Sequence, residues 1–459
     1  EHDLVEVQGL FLRKEKSALS PRKLSKDFQT NIALLGLEER NLQERFAQKV
    51  HEFLQGEDIS FIQAQTGIGK TYGYLLPALS LENESGILLS VPTKILQNQV
   101  MHEEAKKLEE IFHISIHSLK GPQNYLKLDA FHAVLEEEES NRLYTRFKMQ
   151  LLVWLTETDT GDLDEIGQLY RYQQFLPNLV HDGNLHKDSL FWLEDFWRRG
   201  QEKARSCKLL VTNHAYLVTR LEDDPSLLEG RFLILDEAQK ILLTLENLSR
   251  KSYLLTDLLE QLDQALSKEE GMLERRLLES IRFELSYLLE QFLSGKRKMC
   301  PASSIDKLRQ DFSELNLPEF KDYQRFFSSE GEFWLSVSEL SSKKIEITSS
   351  RDQRLLFSKI FPESCQLLGI SATLEISSRV SLPELLGFPQ ANIYYLDEQF
   401  QENQEIFLVN DFPLVTEVSL EEYAQAVVEV LEDLSYLEEP ILVLFTAKDL
   451  LLQVSDTLR

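Results

Sequence analysis

One octet constrains this chain more than any other feature. Ala64-Gln65-Thr66-Gly67-Ile68-Gly69-Lys70-Thr71 follows the strand-length apolar run Ile59–Gln63 and opens the apolar helical stretch Gly73–Leu79. Small residues let backbone N–H groups curl around a β-phosphate, and the helix N-terminus adds partial positive charge. In that geometry Lys70 reaches the β- and γ-phosphates, and the Thr71 hydroxyl ligates magnesium. The octet therefore predicts binding of ATP with Mg²⁺ through Ala64, Gln65, Thr66, Gly67, Ile68, Gly69, Lys70 and Thr71. A glycine turn that binds nothing would not require a strand before it and a helix after it.

A second string completes the chemistry. Leu233-Ile234-Leu235 leads into Asp236-Glu237-Ala238-Gln239, two carboxylates at the C-terminal end of a buried strand. In a parallel sheet that edge is where ligands sit. Asp236 is placed to hold the metal, and Glu237 to polarise the water that attacks the γ-phosphate. Alone, such acids would equally serve as the first turn of a helix, complementing its dipole. Paired with the octet, they predict hydrolysis.

The 459 residues carry 49 basic and 76 acidic side chains, a net charge of −27, which excludes a basic nucleic-acid coat protein. A motor that grips nucleic acid through a narrow local groove stays open, because global charge governs solubility and steering rather than one site. Three cysteines, Cys207, Cys300 and Cys365, lie far apart without a CxxC pair. They cannot build a disulfide framework or a four-thiolate cluster, and a reducing cytoplasm fits them. No apolar run approaches a membrane span, and the first residues do not read as a signal peptide.

The recurring short runs Ile59–Gln63, Ile87–Val91, Lys208–Thr212, Phe232–Leu235 and Gln366–Ile370, most followed by helical patterns, predict an α/β fold with a parallel sheet covered on both faces. Residues 1–40, with the loop-like Ser17–Lys26, read as a linker or arm. The sheet-bearing motor domain is expected from 41–126, 206–244 and 351–375. A first insertion, 127–205, holds a helical candidate Phe131–Leu155 containing the acidic run Glu136–Glu139, a solvated face. A second, largely helical insertion spans 245–350, where Leu273, Leu277, Ile281, Leu285, Leu288 and Phe292 mark one amphipathic helix, punctuated by Gly295 and Pro301. From 376 to 459 the pattern Ile406–Val409, Leu420–Leu434, Ile441–Phe445 and Lys448–Leu458 reads as strand, helix, strand, helix, the incomplete start of a second domain.

Phosphate loops serve many functions; the strings around this one choose among them. Together they resemble the DinG/XPD family of superfamily 2 DNA helicases, and more narrowly the DinG-like proteins of Gram-positive bacteria. Arg45-Phe46-Ala47-Gln48 is similar to the family's Arg-x-x-Gln adenine-reading element. Ser90-Val91-Pro92-Thr93-Lys94, with Leu96, Gln97 and Gln99, resembles the element that contacts the DNA backbone. Lys120 to Leu126 resembles the lead-in to the iron–sulfur domain, Trp154 to Glu165 is a further family-like string, and Val211-Thr212-Asn213-His214-Ala215 resembles the element before the acidic pair. Ser371-Ala372-Thr373-Leu374 is similar to the motif coupling hydrolysis to domain movement, and Leu442 to Thr446 to the opening of a second motor domain. The resemblance implies RecA-like motor domains, with Arg45 and Gln48 on the nucleotide and Ser90, Thr93, Lys94, Asn213 and His214 on single-stranded DNA. Blander roles stay open for each: capping residues at strand ends, a satisfied turn, a polar helix face.

The sequence departs from that family in three places. Lys127 stands where the cluster ligands would begin, and 127–205 contains no cysteine, so no iron–sulfur cluster is expected. The aromatics Phe191, Trp192, Phe196 and Trp197 would pack that insertion or, alternatively, stack bases beside Arg198 and Arg199. Gln239 replaces the family's usual histidine; it can still hydrogen-bond toward Ser371–Thr373. The later family motifs, including a γ-phosphate arginine, have no counterpart before Arg459, which predicts slow hydrolysis. The resemblance implies a monomeric, cytoplasmic, 5′→3′ motor on single-stranded DNA in repair or recombination, with an exonuclease domain upstream in the full-length chain. The competing reading is an ATP-controlled single-strand-binding module that does not unwind and regulates a fused or partner 3′–5′ exonuclease.

Overall fold

The computed structural model describes residues 4–14, 20–56, 58–81, 86–135, 141–184, 187–268, 271–329, 331–338, 341–350, 357–362, 364–377, 379–396, 412–415, 418–434, 441–445 and 447–458. The chain separates into two compact units, Glu1–Glu398 and Gln399–Arg459.

The first unit is organised by a seven-stranded, all-parallel sheet. Its spatial order is Asn392–Tyr395, Ser60–Gln63, Leu367–Ser371, Arg231–Leu235, Gly86–Val91, Leu209–Asn213, Ile116–Ser118. Successive side chains of a strand point to opposite faces, and here both faces are apolar. Ile62, Ile87, Leu89, Val211 and Ile234 enter one core, which contains Phe46, Tyr74 and Leu75 from flanking helices. Phe61, Leu88, Leu210, Leu233 and Leu235 enter the other, together with Leu217 and Val218. The two-faced burial explains why these strands read as unbroken apolar runs. The five strands expected from Ile59–Gln63 to Gln366–Ile370 are all present, with ends shifted by a residue or so.

The second core continues without a break into 127–205. Leu126, Phe131, Phe147, Trp154, Phe191, Phe196 and Trp197 belong to it, with Phe147 stacked on Tyr172 at 4.4 Å between ring centroids. Of the aromatic run, Phe191, Phe196 and Trp197 are buried, and Trp192 lies under the Arg198 guanidinium at 5.0 Å. The packing alternative therefore holds for the three buried rings. The helical candidate Phe131–Leu155 resolves into helices Leu128–Leu135 and Arg142–Leu155, and the run Glu136–Glu139 lies outside the described residues.

Three expectations are corrected. Residues 1–40 are not simply a linker: Leu4–Val7 and Leu10–Arg13 pair as an antiparallel hairpin, and Phe28–Leu34 is a helix. Leu10 and Leu12 are buried in the insertion's core, and Arg13 pairs with Asp159 at 3.3 Å. Residues 376–398 belong with the first unit rather than a second domain, because Asn392–Tyr395 adds an edge strand beside Ser60–Gln63. And among the described residues 441–445 has no strand partner; Leu442 and Leu444 are each 84% exposed. The anticipated strand Ile406–Val409 falls outside the described residues.

The 245–350 region contains the predicted amphipathic helix, Met272–Leu293, burying Leu277, Leu278, Ile281, Leu285 and Leu288. It also contains a feature the periodicity did not reveal, an antiparallel three-stranded sheet ordered Lys251–Leu254, Ser341–Ser350, Glu332–Ser338. In the second unit, helices Leu420–Asp433 and Lys448–Thr457 pack through Ala424, Val428 and Val454. The first is opened by a reciprocal Ser419–Glu422 capping box.

Candidate active site

All seven strands run the same way, so their C-terminal ends share one edge, and the predicted chemistry gathers there. Gln63 leads into the phosphate loop and Leu235 into the acidic loop; both strands flank Leu367–Ser371. Gly67 and Gly69 have φ of 84° and 86°, the left-handed region that favours glycine. At Gly69 a Cβ would also lie 2.3 Å from the Gln43 amide nitrogen, so a side chain there would have to displace Gln43. The helix Lys70–Ser80 then begins directly at the lysine.

Lys70 Nζ is 2.5 Å from Glu237 Oε1 and 3.5 Å from the Ala64 carbonyl. Glu237 also accepts from Gln239 Nε2 at 2.7 Å, and Ser371 Oγ donates to Gln239 Oε1 at 2.6 Å. The phosphate-loop lysine, the acid, the glutamine and the Ser371 string thus form one hydrogen-bonded chain. Burial pushes the Glu237 carboxyl up, but the hydrogen bonds from Lys70 and Gln239 and the charge of Lys70 outweigh it and hold it below its ordinary value. Glu237 adopts φ of 47°, uncommon for a residue with a side chain.

Asp236 sits deeper. Burial drives its carboxyl up to about 6, against the pull of Lys70 and with the push of Glu237. Tyr74, fully buried on the phosphate-loop helix, donates to Asp236 Oδ2 at 3.2 Å. Two neighbouring carboxylates make this a place where a divalent cation would offset the negative charge that burial disfavours. Asp236 and Thr71 would hold such an ion, with the Tyr74 hydroxyl donating to Asp236.

The adenine-reading arginine and glutamine were expected at Arg45 and Gln48; the pair that touches the phosphate loop lies five residues earlier. On helix Asn41–Gln55, Arg45 and Gln48 face outward; Gln48 bonds Glu44 Oε1 at 3.3 Å. The same Arg-x-x-Gln spacing occurs earlier, at Arg40 and Gln43, and those are the residues at the loop. Gln43 Nε2 donates to the Gly69 carbonyl at 2.8 Å, and Arg40 Nη1 to the Gly67 carbonyl at 3.3 Å. The missed signal was helical phase: Gln43, Phe46, Ala47 and Val50 share the buried face, so only the earlier glutamine points inward. Tyr74 was missed too, hidden in an apolar run.

The candidate nucleic-acid residues divide. Thr93 and Lys94 are exposed at the start of helix Lys94–Val100, where Thr93 Oγ1 accepts from the Leu96 N–H at 3.2 Å. Lys94 Nζ donates to Asn124 Oδ1 at 2.8 Å. Ser90, Asn213 and His214 are buried, and their side chains are engaged internally. Ser90 Oγ lies 2.8 Å from His214 Nδ1, and Asn213 caps helix His214–Asp223 while donating to Gln97 Oε1 at 2.9 Å. As side-chain contacts to a phosphate backbone these three are corrected: they brace the turns that present Thr93 and Lys94.

Residues 41–154 match the family described as DEAD/DEAH box helicase. The 3′-5′ exonuclease DinG of Staphylococcus saprophyticus is 31% identical over 216 residues, covering 45% of this chain and 23% of that protein. The chain is similar to the DinG-type helicases. The protein of the same name from Bacillus subtilis is 32% identical over 212 residues, 44% of this chain and 22% of its own. A solved XPD helicase superposes with a TM-score of 0.48 at 16% identity, over 91% of this chain and 74% of its own. The chain spans about a quarter of the length of these DinG relatives. Three strands of the sheet that carries the site, Ser60–Gln63, Gly86–Val91 and Ile116–Ser118, lie within the 41–154 segment that matches the DEAD/DEAH box helicase family. Among the described residues no helix is long and apolar enough to cross a membrane, and no group of three or more His, Cys, Asp or Glu is placed to hold a metal ion.

Proposed function

We propose that this chain is the ATP-hydrolysing motor segment of a DinG-like DNA translocase, acting on single-stranded DNA. The observation that carries the reading is the 2.5 Å pairing of Lys70 with Glu237 beside half-buried Asp236. It joins a triphosphate cradle to a carboxylate pair at one sheet edge. Residues 41–126, 206–244 and 357–396 would form this motor, and 418–458 the start of a second.

In this reading the loop Ala64–Thr71 wraps the phosphates, with its shape fixed by Gln43 and Arg40 beneath it. Lys70 leaves Glu237 for the β- and γ-phosphates, which frees the Glu237 carboxylate to orient and deprotonate water. Magnesium, held by Thr71 and Asp236, would neutralise charge on the phosphate oxygens. Gln239 keeps its bond to Ser371 and so couples the acidic loop to the strand exit at Ala372–Leu374. Thr93 and Lys94 would take DNA phosphates, contacts that bind without reading sequence. Polarity 5′→3′, monomeric action in the cytoplasm, a role in repair or recombination, and an exonuclease partner domain of the kind named in the relatives are parts of the same proposal.

The test uses the full-length protein. ATP turnover is measured with and without single-stranded DNA, alongside strand displacement, for wild type, Lys70→Ala and Glu237→Gln. The motor predicts DNA-stimulated turnover and displacement in wild type, both lost in the variants. Turnover without displacement favours the binding module that regulates an exonuclease. No turnover with DNA present refutes both the motor and its ATP chemistry.

A further inference from the structure

Ser90 and His214 are left over once the catalytic contacts are assigned, yet they are among the most enclosed polar groups in the fold, each 0% exposed. Ser90 lies near the end of strand Gly86–Val91, three residues before Thr93. Its backbone carbonyl accepts from the Asp236 N–H at 2.9 Å, and its hydroxyl meets His214 Nδ1 at 2.8 Å. The histidine in turn lies against the backbone of Glu237 and Asp236. Among the described residues its fully enclosed Nε2 makes no hydrogen bond of good geometry, although the backbone of Glu237 and Asp236 lies within reach of the ring. Leaving such a group unbonded is costly, and a nearby loop able to supply an acceptor resolves it.

That loop is the one under conformational constraint. Glu237 is held at φ 47° while its carboxylate is clamped by Lys70 and Gln239. When Lys70 leaves for a triphosphate, the clamp opens. The geometry points to a second role for the buried pair: His214 is a positioning residue that takes up a backbone carbonyl of the released acidic loop through Nε2 and, through Ser90, passes that state to the turn presenting Thr93 and Lys94. The bridge would thus carry the response of ATP turnover to DNA. Chemistry itself would need neither side chain, since both are fully enclosed and bonded to each other. This inference rests on the motor reading above.

The experiment measures the ratio of ATP turnover with and without single-stranded DNA in the full-length protein, for Ser90→Ala, Ser90→Thr, His214→Phe and the double variant Ser90→Ala/His214→Phe. Coupling energies between sites correspond to roughly 5- to 150-fold effects, so each bridge-breaking single variant is expected to lower the ratio about tenfold. Ser90→Thr keeps the hydroxyl and retains the ratio. The double variant is no worse than either single, because one bridge is broken in all three. Should His214→Phe not fold, the Ser90→Ala and Ser90→Thr pair carries the test alone. An unchanged ratio in Ser90→Ala overturns the bridge and leaves the motor standing, as do losses that multiply in the double variant. Absence of DNA stimulation in wild type overturns the motor reading and the bridge with it.

Discussion

At the scale of single residues, the site is governed by which groups are buried together. The phosphate loop was legible because only a few residue types satisfy a tight, positively polarised turn; Gly67 and Gly69 announce it directly. The acids were legible because two carboxylates after an apolar strand need a reason. Gln43 was not, because two identical Arg-x-x-Gln spacings sit on one helix and only packing against Gly69 tells them apart. Replacing a buried hydrogen-bonding group costs about 1–3 kcal/mol. Gln43→Ala is therefore expected to raise the KM for ATP about tenfold, while exposed Gln48→Ala leaves it unchanged; steady-state kinetics on both variants decide. Asp236 gives a pH prediction. Its folded value of about 6 exceeds the ordinary 3.8, so the folded protein holds a proton that the unfolded chain has lost. That stabilisation is present below about 4 and disappears as pH rises through about 6. In the nucleotide-free protein, Asp236→Asn should raise the melting temperature at pH 7 by roughly 2–4 °C per kcal/mol regained, and flatten its decline between pH 4 and 6. A lower melting temperature would contradict this account of the buried carboxyl.

At the scale of elements, strands buried on both faces and the long amphipathic helix were readable from periodicity alone. The hairpin Leu4–Arg13 and the edge strand Asn392–Tyr395 were not, since each is four residues long or pairs with sequence far away, and Ile393 and Tyr395 remain largely exposed. The element that attaches 127–205 to the motor was likewise invisible as chemistry. Lys120, 1% exposed, bridges Asp162 at 2.5 Å and Asp164 at 2.8 Å. Burial pushes Asp162 above its usual range despite Lys120. Asp164 is also raised by burial, but the Lys120 hydrogen bond and charge bring it below. Removing one partner of a buried ion pair costs about 3–5 kcal/mol, because the remaining charge is left uncompensated. Lys120→Met should therefore destabilise by that order and speed amide exchange over 158–166 first. Adding Asp162→Asn should recover part of the loss. Equal exchange in wild type and variant would show that the triad does not hold the insertion. Leu12→Asp, which places a charge in the same core, should loosen that region by a few kcal/mol, read by the same exchange experiment.

For the molecule as a whole, the resemblance to helicases rested on ordered strings rather than on composition: a net charge of −27 points to no particular partner. Three-dimensional proximity supplied what order could not, by setting Lys70, Glu237, Gln239 and Ser371 in one bonded chain across three neighbouring strand ends. It also turned three supposed DNA contacts into internal braces, because burial is a property of the packed fold rather than of a motif. The central claim is that one divalent ion and one triphosphate are shared between the Gly67–Thr71 turn and Asp236. Electron paramagnetic resonance of Mn²⁺, titrated with a non-hydrolysable ATP analogue, reads that directly. The account predicts one tightly held manganese coupled to phosphorus nuclei in wild type, with the signal lost in Asp236→Asn and in Lys70→Ala. An undiminished phosphorus-coupled signal in both variants would place the nucleotide elsewhere and contradict it.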